Sequence, residues 1–139
     1  MPSYEASSLI EAGPDRVWPV LANPSAWPDW DSGVSEVEGR LVLGEKLSIA
    51  VDANPGRAFG VKVVTLEEPK RIVLRGGMPF GLFTGERTYT LRPEGAATRF
   101  EMREEYRGPL AKLIFRSIPD LGPSFRQFAE GLKAQAERG

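Results

Sequence analysis

A run of six short strand patterns separated by turn residues limits the fold of this chain more than any other feature. Between residues 34 and 107, apolar and polar residues alternate, and strands are predicted over 34–38, 45–53, 58–68, 71–76, 83–92 and 97–107. Glycine or proline interrupts the pattern between successive runs. Parallel strands need a crossover of about a dozen or more residues, and these connections are shorter. The six strands are therefore expected to form an antiparallel meander.

The two ends of the chain add one more strand and the helices. Residues 3–11 alternate loosely and predict a strand. Gly13-Pro14-Asp15 predicts a helix start, because proline needs no amide partner in a first turn and aspartate favours the positive end of the helix dipole. After residue 109, apolar residues recur every three or four positions, which predicts a long helix. Pro119 and Gly122-Pro123 are expected to kink or split it.

These elements together predict an α+β fold. A twisted seven-stranded antiparallel sheet cannot bury its concave face alone, and the last helix is the long amphipathic element available to cover it. We expect a curved sheet wrapped around this C-terminal helix, with one or two short helices after the first strand. The length of 139 residues fits one domain over 1–139.

Composition excludes several kinds of chemistry. The chain contains no histidine and no cysteine, which removes disulfides, thiolate nucleophiles, Ser-His pairs and nearly every zinc site. A formal net charge of −1 argues against nucleic acid as a partner. We expect no cofactor, no functional metal and no membrane span. The N-terminal residues resemble no export signal, so a cytoplasmic protein is expected.

The last strand pattern places an acid on its apolar face. Alternation assigns one set to the side facing the helix, and Arg99, Glu101, Arg103, Glu105 and Arg107 to solvent. The helix-facing set is Thr98, Phe100, Met102, Glu104 and Tyr106. Glu104 would then be a carboxyl group in apolar surroundings, which requires a partner, water or a proton.

The preceding strand offers Arg87 as that partner. A turn over residues 93–96 would pair Tyr89 with Phe100, placing Arg87 opposite Met102 and diagonal to Glu104. The same register sets Gly85 opposite Glu104, and Glu86 opposite Arg103 on the outer face. Arg87 and Glu104 are therefore expected to form a charged pair that is either structural and solvated or ligand-orienting.

Several segments, spread over almost the whole chain, resemble the SRPBCC superfamily of helix-grip proteins, and most closely its polyketide cyclase/dehydrase-like group. The superfamily includes START lipid-transfer domains, birch-pollen-allergen-like proteins and Hsp90-activator-like domains. The matching segments are residues 10–18, Trp27-Pro28-Asp29-Trp30, 68–74, 85–91, 104–110 and 132–137. The resemblance implies a hydrophobic cavity between sheet and C-terminal helix that receives a lipid, polyketide or similar molecule. It implies no shared catalytic motif.

Within such a cavity the inward-facing residues become candidate ligand contacts. They are Trp27, Trp30, Phe59, Val61, Phe80, Phe83, Arg87, Tyr89, Phe100, Met102, Glu104, Tyr106, Ile114 and Ile118. Trp30 is expected to plug one end of the core, with Trp27 as the candidate cavity wall. The apolar loop that includes Met78, Phe80, Leu82 and Phe83 either gates the cavity or caps the core.

Three functions remain open from the sequence. The leading hypothesis is a non-enzymatic binder or carrier of a small hydrophobic molecule, as a monomer or weak homodimer. The second is a cyclase or dehydratase in which Glu104 acts as acid or base and Arg87 or Tyr89 stabilises an oxyanion. The third is a protein-interaction module of the Hsp90-activator type.

Overall fold

Seven antiparallel strands form one curved sheet in the computed structural model, which describes residues 3–138. The order across the sheet is β1-β7-β6-β5-β4-β3-β2, so the six later strands form the predicted meander and β1 pairs with the last of them. The strands are β1 (Ser3–Ile10), β2 (Val34–Glu38), β3 (Lys46–Val51), β4 (Ala58–Glu67), β5 (Arg71–Met78), β6 (Phe83–Glu94) and β7 (Ala97–Arg107).

The helices are α1 (Pro14–Leu21), α2 (Ala111–Ser117) and α3 (Gly122–Glu137), with short 3₁₀ turns at Pro24–Asp29 and Pro79–Gly81. Pro14 occupies the first turn of α1, where its missing amide costs nothing. The predicted split of the C-terminal helix is confirmed, because Pro119 separates α2 from α3.

Helix α3 packs on the concave face and carries much of the core. Its buried side chains include Phe125, Phe128 and Leu132, which join the apolar residues of the sheet in one cluster. Polar contacts attach α3 to the first strand: Ser8 Oγ donates to the Ala129 carbonyl at 3.0 Å, and Lys133 Nζ donates to the Leu9 carbonyl at 2.8 Å. The helix-grip α+β fold is thus confirmed.

A close backbone approach also attaches α3 to the segment before β2. At Gly131, a Cβ atom would overlap the carbonyl of Asp31 and lie 3.2 Å from the Trp30 ring. Only glycine leaves room for this contact. Gln127 adds a side-chain hydrogen bond to Asp31 at 2.6 Å.

The register of β6 and β7 differs by two residues from the predicted one. Tyr89 pairs with Met102, not with Phe100, because Glu94 pairs with Ala97 and leaves only Gly95 and Ala96 in the turn. Gly95 has a φ of 62°, the left-handed conformation that two-residue hairpin turns require and glycine readily adopts. The expected turn over 93–96 was therefore too long.

The new register changes the neighbours of Arg87. It lies directly opposite Glu104 instead of diagonal to it. Gly85 lies opposite Tyr106, and Glu86 lies opposite Glu105 instead of Arg103. Glu86 is instead paired with Arg75 of β5, 2.6 Å away on the outer face.

The expected roles of the two tryptophans are wrong, because Trp27 rather than Trp30 lies fully in the core. Trp27 is buried, donates its indole Nε1–H to the Leu21 carbonyl at 3.1 Å, and packs edge-on against Phe128 at 5.0 Å between ring centres. Trp30 is only partly buried, against the same phenylalanine at 5.3 Å. The 3₁₀ turn directs Trp27 inward, whereas Trp30 follows it in extended conformation.

Candidate ligand-binding cavity

A cavity of about 500 Å³ lies between the concave face of the sheet and the helices α2 and α3. Strands β2 to β7 form its floor and walls, and residues of α2, α3 and the segment between them form its roof. A cavity of this size falls in the range of small-molecule sites.

Nine of the fourteen predicted contact residues line this cavity. They are Phe59, Val61, Phe83, Arg87, Met102, Glu104, Tyr106, Ile114 and Ile118. They come from β4, β6, β7, α2 and the segment after it. Strand alternation and helical spacing therefore bring these side chains to one space.

The other five predicted contacts lie elsewhere. Trp27, Tyr89 and Phe100 are buried in the core outside the cavity lining, and Trp30 packs on α3. Phe80 is 96% exposed, because it lies at the tip of the β5–β6 connection and points away from the core.

Two groups of lining residues were missed. On β3, Ile49 and Val51 line the cavity, and their alternation within the predicted strand could have placed them there. On α3, Phe125 and Phe128 do the same. Their helical spacing was recognised as the core-facing stripe, but nothing in the spacing distinguishes packed core from cavity roof.

A charged pair with a phenol forms the polar part of the cavity wall. Arg87 Nη2 donates to Glu104 Oε2 at 3.0 Å, and the Tyr106 hydroxyl donates to the same oxygen at 2.7 Å. The Arg87 and Glu104 side chains are only 17% and 13% exposed, and both line the cavity. The guanidinium carbon also lies 4.7 Å above the centre of the Phe125 ring, a cation–π distance.

This arrangement keeps Arg87 and Tyr106 in fixed charge states. Burial lowers the pKa of Arg87, but the Glu104 carboxylate offsets this and leaves the pKa above its ordinary value. Burial raises the pKa of Tyr106, and the charge of Glu104 and the hydrogen bond to it raise it further. At neutral pH, Arg87 is therefore a cation and Tyr106 a neutral donor.

The polar wall has unused hydrogen-bonding capacity. Among residues 3–138, Arg87 Nε and the Tyr89 hydroxyl are buried with no hydrogen-bond partner. Glu104 Oε1 accepts no hydrogen bond from these residues either, because both donors go to Oε2. Buried polar atoms are seldom left unmatched. Of these three, Arg87 Nε and Glu104 Oε1 belong to residues that line the cavity, where a polar ligand group or water can match them, whereas the Tyr89 hydroxyl lies outside the lining.

Gly85 leaves space next to the pair. It lies on the inner face of β6 opposite Tyr106, and it lines the cavity. A Cβ atom there would meet the Tyr106 ring at 3.5 Å and Glu104 Oε1 at 3.8 Å, which are ordinary contacts. The missing side chain therefore adds to the cavity beside the carboxylate.

The residues that the structure describes contain neither a metal-binding cluster nor a membrane-spanning helix. Within 3–138, no three acidic side chains come together in a group that could hold a metal ion. No helix in the same range combines the length and apolar character that crossing a membrane requires.

Solved structures with this architecture are numerous, although the sequences have diverged. A protein from Mesorhizobium loti superposes with a TM-score of 0.75 at 18% identity, covering 99% of this chain and 98% of its own. The Zhui aromatase/cyclase from Streptomyces sp. R1128 gives a TM-score of 0.72 at 16% identity, covering 99% and 94%. A START superfamily protein from Mycobacterium smegmatis gives 0.69 at 14%, covering 98% and 97%. At these identities the likeness shows the fold alone.

Comparison of the sequence with protein families identifies one family. No curated protein matches the chain. The family model described as polyketide cyclase/dehydrase and lipid transport matches residues 1–137. The chain therefore belongs to the polyketide cyclase/dehydrase and lipid transport family.

Proposed function

We propose that this protein binds or carries a small, largely apolar molecule in the cavity between the sheet and the helices α2 and α3. The observation that carries the proposal is the cavity itself: about 500 Å³, walled mainly by apolar side chains, with the Arg87–Glu104 pair on one side. A largely apolar pocket with few polar groups that fix orientation is typical of small-molecule sites.

The charges on the wall indicate which polar group the ligand carries. Arg87 and Glu104 neutralise each other, so a ligand carboxylate or ammonium would leave an uncompensated charge in apolar surroundings. Glu104 Oε1 can still accept, and the cavity-facing guanidinium can still donate. A neutral ligand that presents a hydroxyl group near a carbonyl group would satisfy both.

Binding can be measured with N-phenyl-1-naphthylamine, a neutral apolar dye whose fluorescence rises in apolar surroundings. Gly85→Leu should abolish the rise, because its side chain enters the cavity beside Glu104. Thr88→Leu on the same strand, β6, is the matched control. Thr88 alternates with the inward-facing Arg87 and Tyr89 and does not line the cavity.

The outcomes separate the proposal from its alternatives. Saturable fluorescence in the wild type and in Thr88→Leu, with loss in Gly85→Leu, supports it. Equal signals in all three proteins would place the dye outside the cavity and refute the proposal. Displacement by a neutral hydroxyketone but not by a fatty-acid anion of similar length supports the inferred ligand charge; the reverse preference contradicts it.

A cyclase or dehydratase is the second candidate function. One observation favours it: a carboxylate and a phenol, both of the types that serve in general acid–base catalysis, lie 2.7 Å apart in the cavity wall. Native mass spectrometry of molecules retained by the wild type and by Glu104→Gln tests it. An enzyme should retain substrate in the variant and product lighter by one water in the wild type. Identical retained masses exclude this use of Glu104.

A further inference from the structure

Exposed apolar side chains are concentrated at one place on the surface. Of the six large hydrophobic side chains exposed among residues 3–138, four lie at the end of β5, in the β5–β6 connection or on α2. We call these four the tip patch: Met78, Phe80, Leu82 and Leu113. Phe80 is 96% exposed and Leu113 is 64% exposed.

The two segments that carry the tip patch touch each other. The amide of Leu110, just before α2, donates to the Leu82 carbonyl at 3.0 Å. At Gly108, a Cβ atom would lie 2.6 Å from the same carbonyl oxygen, so the chains approach as closely as glycine allows. The two segments that carry the patch therefore lie side by side.

Basic residues flank the tip patch, and of these Arg107 is paired with Glu86 and Glu105 at 4.0 and 3.9 Å while two others are unpaired in the described part of the chain. Residues 76–85 contain no charged residue, and residues 106–119 contain Arg107, Lys112 and Arg116 but no acid. Lys112 and Arg116 lie exposed on α2 and form no salt bridge with any residue of 3–138. This is a local positive charge on a chain whose formal net charge is −1.

Phe80 has an unfavourable position in water on two counts. Its φ of 61° and ψ of 23° are left-handed, a conformation that L residues other than asparagine and aspartate seldom adopt. Its ring is also left in solvent. Phe80 adds no buried apolar surface to the folded protein, so its side chain does not stabilise the fold. A contact with another molecule is the physical reason for a phenylalanine at this tip.

The tip patch borders the cavity. Met78 of β5 and Ile114 of α2 line the cavity, and each lies in one of the two segments that form the patch. Phe80 and Leu113 are not part of the lining.

We propose that the tip patch docks onto the surface of an anionic lipid bilayer. Phe80 and Leu113 would enter the apolar boundary of the headgroup region, while Lys112 and Arg116 would lie against the phosphates. Apolar side chains next to unpaired lysine and arginine are the combination that peripheral binding to anionic membranes requires. The inference depends on exposure and charge and does not require the proposed ligand function.

The test is sedimentation with sucrose-loaded vesicles of phosphatidylcholine alone, or of phosphatidylcholine with phosphatidylglycerol in equal parts. The wild type should sediment with the anionic vesicles and much less with the neutral ones, and added salt should weaken binding. Lys112→Glu/Arg116→Glu should lower the partition coefficient by about 30-fold or more, since each basic residue near such a surface contributes roughly fivefold.

The apolar contribution has a matched control. Phe80→Ser/Leu113→Ser should lose most of the binding, whereas Val42→Ser/Leu43→Ser should keep it, because that pair is exposed on the β2–β3 loop and Leu43 is 61% exposed. Both double variants should retain the wild-type melting temperature and dye binding. A loss of vesicle binding with normal dye binding therefore tests the membrane proposal separately from the ligand proposal.

Three results would overturn the inference. One is equal binding to neutral and anionic vesicles; a second is equal loss in the two apolar double variants. The third comes from sedimentation velocity without lipid: a dimer that Phe80→Ser/Leu113→Ser dissociates would make the tip patch a contact between two copies of this chain.

Discussion

Replacing Arg87 with methionine would leave the Glu104 carboxylate in the cavity wall with one hydrogen bond, from Tyr106, in place of two. Removing one partner of a buried ion pair costs about 3–5 kcal/mol. Both side chains touch the cavity and retain 17% and 13% exposure, so water reduces this cost, and we expect about 2.5 kcal/mol in the free energy of unfolding. Glu104→Leu should cost about as much, because it leaves a buried guanidinium without its carboxylate.

The double variant Arg87→Met/Glu104→Leu should cost less than the two single changes together. It removes both charges, and the remaining defect is the Tyr106 hydroxyl without an acceptor, together with lost packing, about 2 kcal/mol in all. The sum of the single costs, about 5 kcal/mol, then exceeds the double by about 3 kcal/mol, which is the coupling energy of the pair.

Urea unfolding followed by tryptophan fluorescence measures all four proteins. A second cycle at Arg75 and Glu86 is the control, because this pair is also close, at 2.6 Å, but lies on the outer face with Arg75 52% exposed. Its coupling energy should be at most about 1 kcal/mol. Equal coupling energies for the two pairs, or additive costs at Arg87 and Glu104, would refute the view that burial makes the inner pair mutually dependent.

Three further changes test other parts of the structure. Trp27→Ala should cost about 3–5 kcal/mol and Trp30→Ala clearly less, measured by urea unfolding, because only the first ring is buried; a larger cost at Trp30 contradicts the core described above. The raised pKa of Tyr106 means that the unfolded chain ionises first, so stability present below about pH 10 is lost as pH rises further; the melting temperature of Tyr106→Phe should fall less steeply there than that of the wild type. Gly131→Ala should lower the melting temperature by several degrees because its Cβ meets backbone, whereas Gly122→Ala, near flexible side-chain ends in the same helix, should leave it nearly unchanged.

The order of the six later strands and the break in the last helix could be predicted from the sequence, because both depend on local signals. Short connections allow only antiparallel neighbours, and a proline such as Pro119 ends a helix wherever the rest of the chain lies. Alternation along β7 also placed Glu104 and Tyr106 on the inner face, since a strand has only two faces.

The register could not be predicted as reliably, because it depends on the conformation of one residue. With Gly95 in a left-handed conformation the turn is two residues long. If Gly95 had another conformation, the same sequence would fit a longer turn. Alternation is unchanged by a shift of two residues, so Arg87 stayed on the inner face while its partner changed from Met102 to Glu104.

The residues that line the cavity were predicted only in part, because local patterns do not show which inward-facing positions are tightly packed. Periodicity indicates that a side chain points inward, but not whether the space it meets is filled. Tyr89 and Met102 pair directly, yet Met102 lines the cavity and Tyr89 lies in packed core beside Phe100 and Trp27. The difference arises from where Trp27 and α3 lie, which no local pattern encodes.

The break at Pro119 divides the roof of the cavity into two parts of unequal stiffness. Helix α3 is joined to β1 by Ser8 and Lys133 and to the segment before β2 at Gly131. Helix α2 is joined at its start through Leu110 and otherwise rests its side chains on the sheet. The α3 side should therefore select ligands by shape, whereas the α2 side should yield to ligands of different length. The selectivity of this protein would then be strict at one end of the cavity and tolerant at the other.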